Sequence, residues 1–183
     1  MRRRLFGRRG RLRRVMTAGI PPLLIRSNEL LAAGEYAQAA DGLEQLARAA
    51  DARGARRAPF LFLEAGRARV MAAQAAQGLE LIRRGLGLMA QSGLARRLAR
   101  SGSSLISELQ GLGFDQEARQ ITAFLENLAP DVNSAVDGPA VVRRPSLPTR
   151  CPACGAPVRP DDVEWLDEIT AECQYCGSAI RDE

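Results

Sequence analysis

A chain of 183 residues with 26 basic and 21 acidic side chains, a formal net charge of +5 and 46% hydrophobic residues has room for one medium domain and one small one. It contains no histidine and no lysine, which excludes the commonest general base and any lysine-bearing phosphate loop. Arginine supplies every basic residue along the whole chain, which reads as the coding bias of a GC-rich, bacterial genome rather than as a phosphate-reading surface.

Residues 1–14 carry eight arginines and no acid, with Leu5, Phe6 and Leu12 among them. Blocks of like charge behave as flexible arms, so residues 1–20 are expected to be one. Its two candidate roles are contact with nucleic acid or with an anionic membrane surface, where the apolar residues would insert. The adjoining apolar run, Val15 to Ile25, is interrupted by Thr17, Gly19 and Pro21-Pro22. It is too short for a membrane span of about 20 residues and no small-residue cleavage site comes after it, so a cytoplasmic location is expected.

From 21 to 128 the chain is rich in alanine and leucine with helical periodicity. Helices are expected near 21–33, 36–52, 59–73, 75–90, 94–110 and 115–128. Gly34, Gly54 and Gly113 break them, Pro59 starts one, Ser92-Gly93 separates two and Pro130 lies just past the last. Ser101-Gly102-Ser103-Ser104 interrupts the middle of the fifth and could kink or split it. Ala37-Gln38-Ala39-Ala40-Asp41-Gly42-Leu43 recurs as Ala73-Gln74-Ala75-Ala76-Gln77-Gly78-Leu79, and a fainter copy begins at Phe114. Tyr36, Phe60 and Phe62 are read as core residues, and Glu44 and Glu80 as acids on outer faces. Arg83, Arg84, Arg96, Arg97 and Arg100 gather near one junction and are the candidates for a basic patch.

Gly34-x-Tyr36-x-x-Ala39-x-x-x-Leu43 resembles the second helix of a tetratricopeptide repeat. The resemblance spans 21–128 and departs in its period, its missing tryptophan and its missing closing proline. It implies tetratricopeptide-like stacked helical hairpins whose concave face holds a protein partner. A plain helical bundle accounts for the same apolar residues.

Residues 129–150 hold four prolines and no helical period, the composition of a stiff linker. Such a linker is expected to hold the C-terminal stretch away from the helices unless Val141 and Val142 dock.

That stretch, 151–183, carries two arginines against eight acids and all four cysteines. Cys151-Pro152-Ala153-Cys154-Gly155 and Cys173-Gln174-Tyr175-Cys176-Gly177 form two C-x2-C-G turns, the spacing of a four-thiolate metal site. Disulfides or free thiols are the other readings, and the spacing favours metal. A segment this short cannot build a core alone, so metal binding would be folding. Val163 to Leu166 and Ile169 to Glu172 read as two short strands around Asp167-Glu168, with Trp165 over the core.

These two turns resemble the knuckles of the zinc ribbon family. The resemblance implies a small β module with Cys151, Cys154, Cys173 and Cys176 as ligands of one structural Zn2+, iron being the other candidate. Four thiolates leave no open coordination position, which argues against a catalytic metal. With no acid–base constellation in reach, the chain is expected to be no enzyme and to take no small-molecule substrate. The sequence thus reads as a mainly α adaptor, with helices for a protein partner and an acidic ribbon displaying Glu164, Asp167 and Glu172 as a second surface. A nucleic-acid-associated factor using the arm, and a thiol redox switch at the cysteines, are the alternatives.

Overall fold

A computed structural model describes residues 19–128, 146–159 and 163–181. The arginine block 1–14, most of the linker, and Val141 and Val142 lie outside the described residues.

The described part is mainly helical, with helices α1 (Pro22–Ala33), α2 (Tyr36–Asp51), α3 (Ala58–Met71), α4 (Ala75–Gln91), α5 (Ala95–Gly111) and α6 (Asp115–Leu128). These bounds agree with the sequence expectation to within a residue or two. One device ends the first five helices. A residue with positive φ reverses the chain, and the amide after it bonds to a carbonyl five residues back, as in Glu35 to Leu30 at 2.9 Å and Phe114 to Leu109 at 2.8 Å. Glycine holds that position at Gly34, Gly54, Gly93 and Gly113, and an alanine, Ala73 (φ 60°), holds it after α3.

The fifth helix is not split. Gly102 lies against Leu125 of α6, where a Cβ would come within 2.6 Å of a methyl. Ser103 Oγ donates to the Ala99 carbonyl within the same helix at 2.7 Å. The small residues therefore serve a close helix crossing, and the hydroxyl is satisfied without interrupting the ladder.

Each helix packs chiefly on its neighbours in sequence, α1 on α2, α2 on α3, α3 on α4 and α5 on α6, with α4 touching both α5 and α6. Leu24, Leu43, Ile82, Leu86, Leu98, Leu105 and Ile121 fill the spaces between them. The middle of this layer is α3, which buries every residue except Arg69 and Met71. Its apolar residues lie on every side because the helix is enclosed on every side, and its charged members Glu64 and Arg67 are buried with them. Gly66 of α3 meets Gly78 of α4 so closely that a Cβ on either would stand 2.7 or 2.8 Å from the other's carbonyl oxygen. Phe60 and Phe62 are core residues as expected, whereas Tyr36 is only half-buried.

The C-terminal module is a three-stranded antiparallel sheet of β1 (Glu164–Trp165), β2 (Thr170–Glu172) and β3 (Ala179–Arg181), in that order. Trp165 pairs with Ala171, and Ala171 with Ile180. The hairpin turn is made by Asp167, whose Oδ1 accepts the amides of Ile169 at 2.9 Å and Thr170 at 2.7 Å. β3 has no counterpart in the sequence expectation. Trp165 is half-buried, and Val163, Ala171, Tyr175 and Ile180 form the module's interior instead.

The module does not stand apart from the helices. Ala156, Tyr175 and Ile180 join the same buried cluster as the helical core, and polar contacts tie the module to α1, α3 and α5. The expected separation is not seen, because side chains of the module itself contact α1, α3 and α5.

Candidate metal centre

Two turns of the same construction carry the four cysteines. In the first, the Gly155 amide bonds to the Cys151 carbonyl at 2.8 Å and the Cys151 amide to the Ala156 carbonyl at 2.8 Å. In the second, the Gly177 amide bonds to the Cys173 carbonyl at 2.7 Å and the Cys173 amide to the Ser178 carbonyl at 2.9 Å. Gly155 (φ 73°) and Gly177 (φ 78°) occupy the left-handed region that lets each turn close around its sulfurs.

The turns face one another, and the four Sγ atoms all lie within 4.8 Å of each other. The Cys151–Cys176 and Cys154–Cys173 sulfur pairs are each 3.8 Å apart. A tetrahedral ion with metal–sulfur bonds of about 2.3 Å would set its ligand sulfurs about 3.8 Å apart. The cysteines are free thiols at these distances, and all but the half-buried Cys176 are buried. Donor number, donor type and spacing thus fit one metal ion held by Cys151, Cys154, Cys173 and Cys176.

Four thiols this close cannot keep their protons independently. Sharing with Cys154 and then Cys173 lowers Cys151 to about 6, and Cys176 is drawn down chiefly by Cys151. The same sharing pushes Cys154 and Cys173 up. A divalent cation would replace the shared protons, holding four thiolates and leaving a net charge of about minus two.

Around the sulfurs lies a second layer that no sequence motif announces. Tyr175, between the two cysteines of the second turn, is 3% exposed and donates its hydroxyl to Glu64 Oε2 of α3 at 3.1 Å. Arg159 donates to the same oxygen at 2.9 Å and reaches Glu108 Oε1 of α5 at 3.7 Å. From within α3, Arg67 donates to Glu108 at 2.9 Å and to Glu64 at 3.4 Å. Burial by itself would raise the Glu64 pKa, but the Arg159 and Arg67 guanidiniums, with the hydrogen bonds from Arg159 and Tyr175, hold it below the usual carboxylate value. On the other side, Asn28 of α1, 1% exposed, donates to the Cys154 carbonyl at 2.8 Å. An acid in the apolar run Phe60-Leu61-Phe62-Leu63-Glu64 was the one available signal, since a buried carboxylate must have partners.

Three of the five arginines read as one patch have partners on different elements. Arg83 donates to Gln120 of α6, Arg84 to Asp51 of α2, and Arg97 to Glu164 of the module while its guanidinium stands 5.2 Å from the Phe60 ring centroid. These three therefore reach different elements, while Arg96 and Arg100 are exposed on α5. Glu164 is therefore engaged, while Asp167 is exposed and Glu172 half-buried. Glu44 is also less peripheral than expected, being tied to Arg69 and Arg48, whereas Glu80 is exposed. Between module and helices runs a cleft lined by Arg56, Arg57, Phe60, Arg97, Gln174 and Cys176. No helix among the described residues is long and apolar enough to cross a membrane.

No protein-family model, no curated protein and no solved structure matches this chain, so its reading rests on the residues themselves.

Proposed function

We propose that the chain is a non-enzymatic zinc-binding adaptor: a tetratricopeptide-like helical layer that binds a protein partner, joined to a zinc ribbon whose metal is structural. The observation that carries this reading is the convergence of four sulfurs from two matching turns within 4.8 Å. Zinc is favoured over iron as the usual ion of closed four-cysteine structural sites. Helices that pack on their sequence neighbours through recurring turns are the expected build of a repeat scaffold, which supports the tetratricopeptide comparison. Reduced, metal-bound thiols suit a cytoplasmic location.

A thiol redox switch is the second reading, favoured by Cys176, the least buried ligand, at the edge of the cleft. The nucleic-acid reading keeps residues 1–14 and the exposed Arg96 and Arg100 as its candidates, while Arg83, Arg84 and Arg97 have partners within the fold.

Elemental analysis and native mass measurement of protein made under reducing conditions test the metal. One zinc per chain is expected; a metal-free chain with an ordered C-terminal module overturns it. Pull-downs with the intact chain and with a chain ending at residue 150, repeated across a salt series, test the adaptor role. Protein capture that survives moderate salt supports it, and capture dominated by salt-sensitive nucleic acid favours the alternative.

A further inference from the structure

The module sits on a specific face of the helical layer. Its anchors are Asn28 on α1, Glu64 on α3, and Glu108 and Arg97 on α5, so it covers the side presented by the odd-numbered helices. The even-numbered helices take no part in these bonds. The three strands pack broadly on none of the helices, and the polar seat is built from knuckle residues, Arg159 and Glu164 of β1. Ala156, Tyr175 and Ile180 add apolar area to this seat, and its ion pairs are the part that another guanidinium could take over.

At the centre of the face is a socket with an unbalanced charge. Glu64 and Glu108 contribute two carboxylates, and Arg67 of the helical layer supplies one guanidinium to both. One negative charge remains, and Arg159 of the module meets it by reaching both acids, at 2.9 Å to Glu64 and 3.7 Å to Glu108. A planar fork spans two carboxylates where a lysine ammonium would meet one. With the module seated Glu64 is 4% exposed, and loss of the Arg159 guanidinium from that seat leaves the acid short of a counter-charge.

We propose that this face is an arginine-reading protein interface which the C-terminal module occupies in cis. The occupant that competes with the module is an arginine-bearing segment of a partner protein, its guanidinium replacing that of Arg159 between Glu64 and Glu108. The metal sets the balance, because Tyr175 lies between Cys173 and Cys176 and reaches Glu64 only while its turn is formed. The proposal deepens the adaptor reading and rests on it for the identity of the partner-binding face.

A labelled synthetic peptide of residues 153–164, and the same peptide with Arg159→Ala, serve as probes in fluorescence anisotropy against the full chain. If the module is seated nine-tenths of the time, the zinc-loaded chain binds the arginine peptide about tenfold more weakly than an open chain. Chelated chain and zinc-loaded Arg159→Ala chain are both expected to show that gain. Adding Glu64→Gln to the Arg159→Ala chain is expected to remove it, and the alanine peptide is expected to bind none of them. Circular dichroism and metal content confirm that each variant keeps its helices and, where loaded, its zinc. Equal binding to the zinc-loaded wild type and Arg159→Ala chains, or no binding to a folded Arg159→Ala chain, overturns the proposal. A chain that never holds metal defeats the zinc reading instead, and the Arg159→Ala comparison still tests the face.

Discussion

The Tyr175 hydroxyl donates to the Glu64 carboxylate at 3.1 Å, joining residues 111 positions apart in the chain. One partner belongs to a cysteine turn and the other to the most enclosed helix. The bond therefore couples the order of the metal site to the packing of α3. It also explains how an acid is held in so buried a helix: Tyr175, Arg159 and Arg67 together satisfy it.

Removing one member of that network is expected to cost more than removing a pair. Glu64→Gln leaves Arg159 and Arg67 short of a counter-charge and is expected to lower stability by about 2–4 kcal/mol, the lower end because the Arg159 side chain keeps 23% exposure. Glu64→Leu combined with Arg159→Leu is expected to cost less than Glu64→Gln alone, since Arg67 retains Glu108. Urea unfolding of the three chains checks the order, and a double variant worse than the single one contradicts it.

The same carboxylate predicts a pH dependence. Its pKa is lower folded than its ordinary value of 4.5, so its contribution is complete above that value and is lost as pH falls through the folded one. The difference in urea midpoint between wild type and Glu64→Gln is expected to be constant near neutral pH and to shrink below 4.5. Metal content is tracked in the same samples because acid also protonates the thiolates. A difference that vanishes at higher pH, together with metal release, assigns the effect to the cysteines instead.

The helices and the sulfur cluster were legible because both are written locally. Alanine and leucine recur at helical steps, Gly34 and Pro59 mark ends, and C-x2-C fixes two sulfurs within one turn. The seat was not legible, since Asn28 and Cys154 are 126 residues apart and Glu64 and Arg159 are 95 apart. Neither pair shares a periodic pattern. Ser101-Gly102-Ser103 was ambiguous for a related reason: the sequence shows weak helix formers, and only the approach of Leu125 explains why small residues belong there.

Asn28 is expected to matter for metal affinity although it touches no sulfur. Its amide holds the Cys154 carbonyl at 2.8 Å and so fixes the first turn against α1. Asn28→Ala is expected to weaken zinc binding by roughly tenfold, in the range for groups that orient ligands. Asn28→Asp is expected to be worse, because a carboxylate offers that carbonyl no donor. Competition titration with a chromophoric chelator measures both, and unchanged affinity in Asn28→Asp would remove Asn28 from the site.

The α3–α4 crossing gives a contrast between glycines. Gly66→Ala and Gly78→Ala each bring a Cβ within 2.8 Å of backbone on the opposite helix, a position neither chain can leave cheaply. Each is expected to cost about 1–3 kcal/mol. Gly87→Ala, on the same α4 but with nothing within 4 Å of the added carbon, is expected to stabilise by about 0.5–1 kcal/mol. Thermal unfolding of the three variants reads the signs, and destabilisation by Gly87→Ala would show that the crossing is not what separates them.

Ala73 offers a test of the turn device itself. Four junctions place glycine at the positive-φ position and the fifth places Ala73 there at φ 60°, while the amide after it still bonds back, Gln74 to Arg69 at 2.8 Å. The left-handed conformation costs a residue with a Cβ about 1–2 kcal/mol, and glycine avoids that at the expense of greater freedom when unfolded. The first effect is the larger. Ala73→Gly is therefore expected to raise stability by about 0.5–1 kcal/mol, whereas Gly93→Ala, the reverse change at the next junction, is expected to lower it by a similar amount. Opposite shifts in urea midpoint support a common turn, because the two positions then exchange the same conformational cost. A loss of stability in Ala73→Gly would mean that the turn after α3 is not held in the left-handed conformation, and that α3 and α4 are joined by a different geometry.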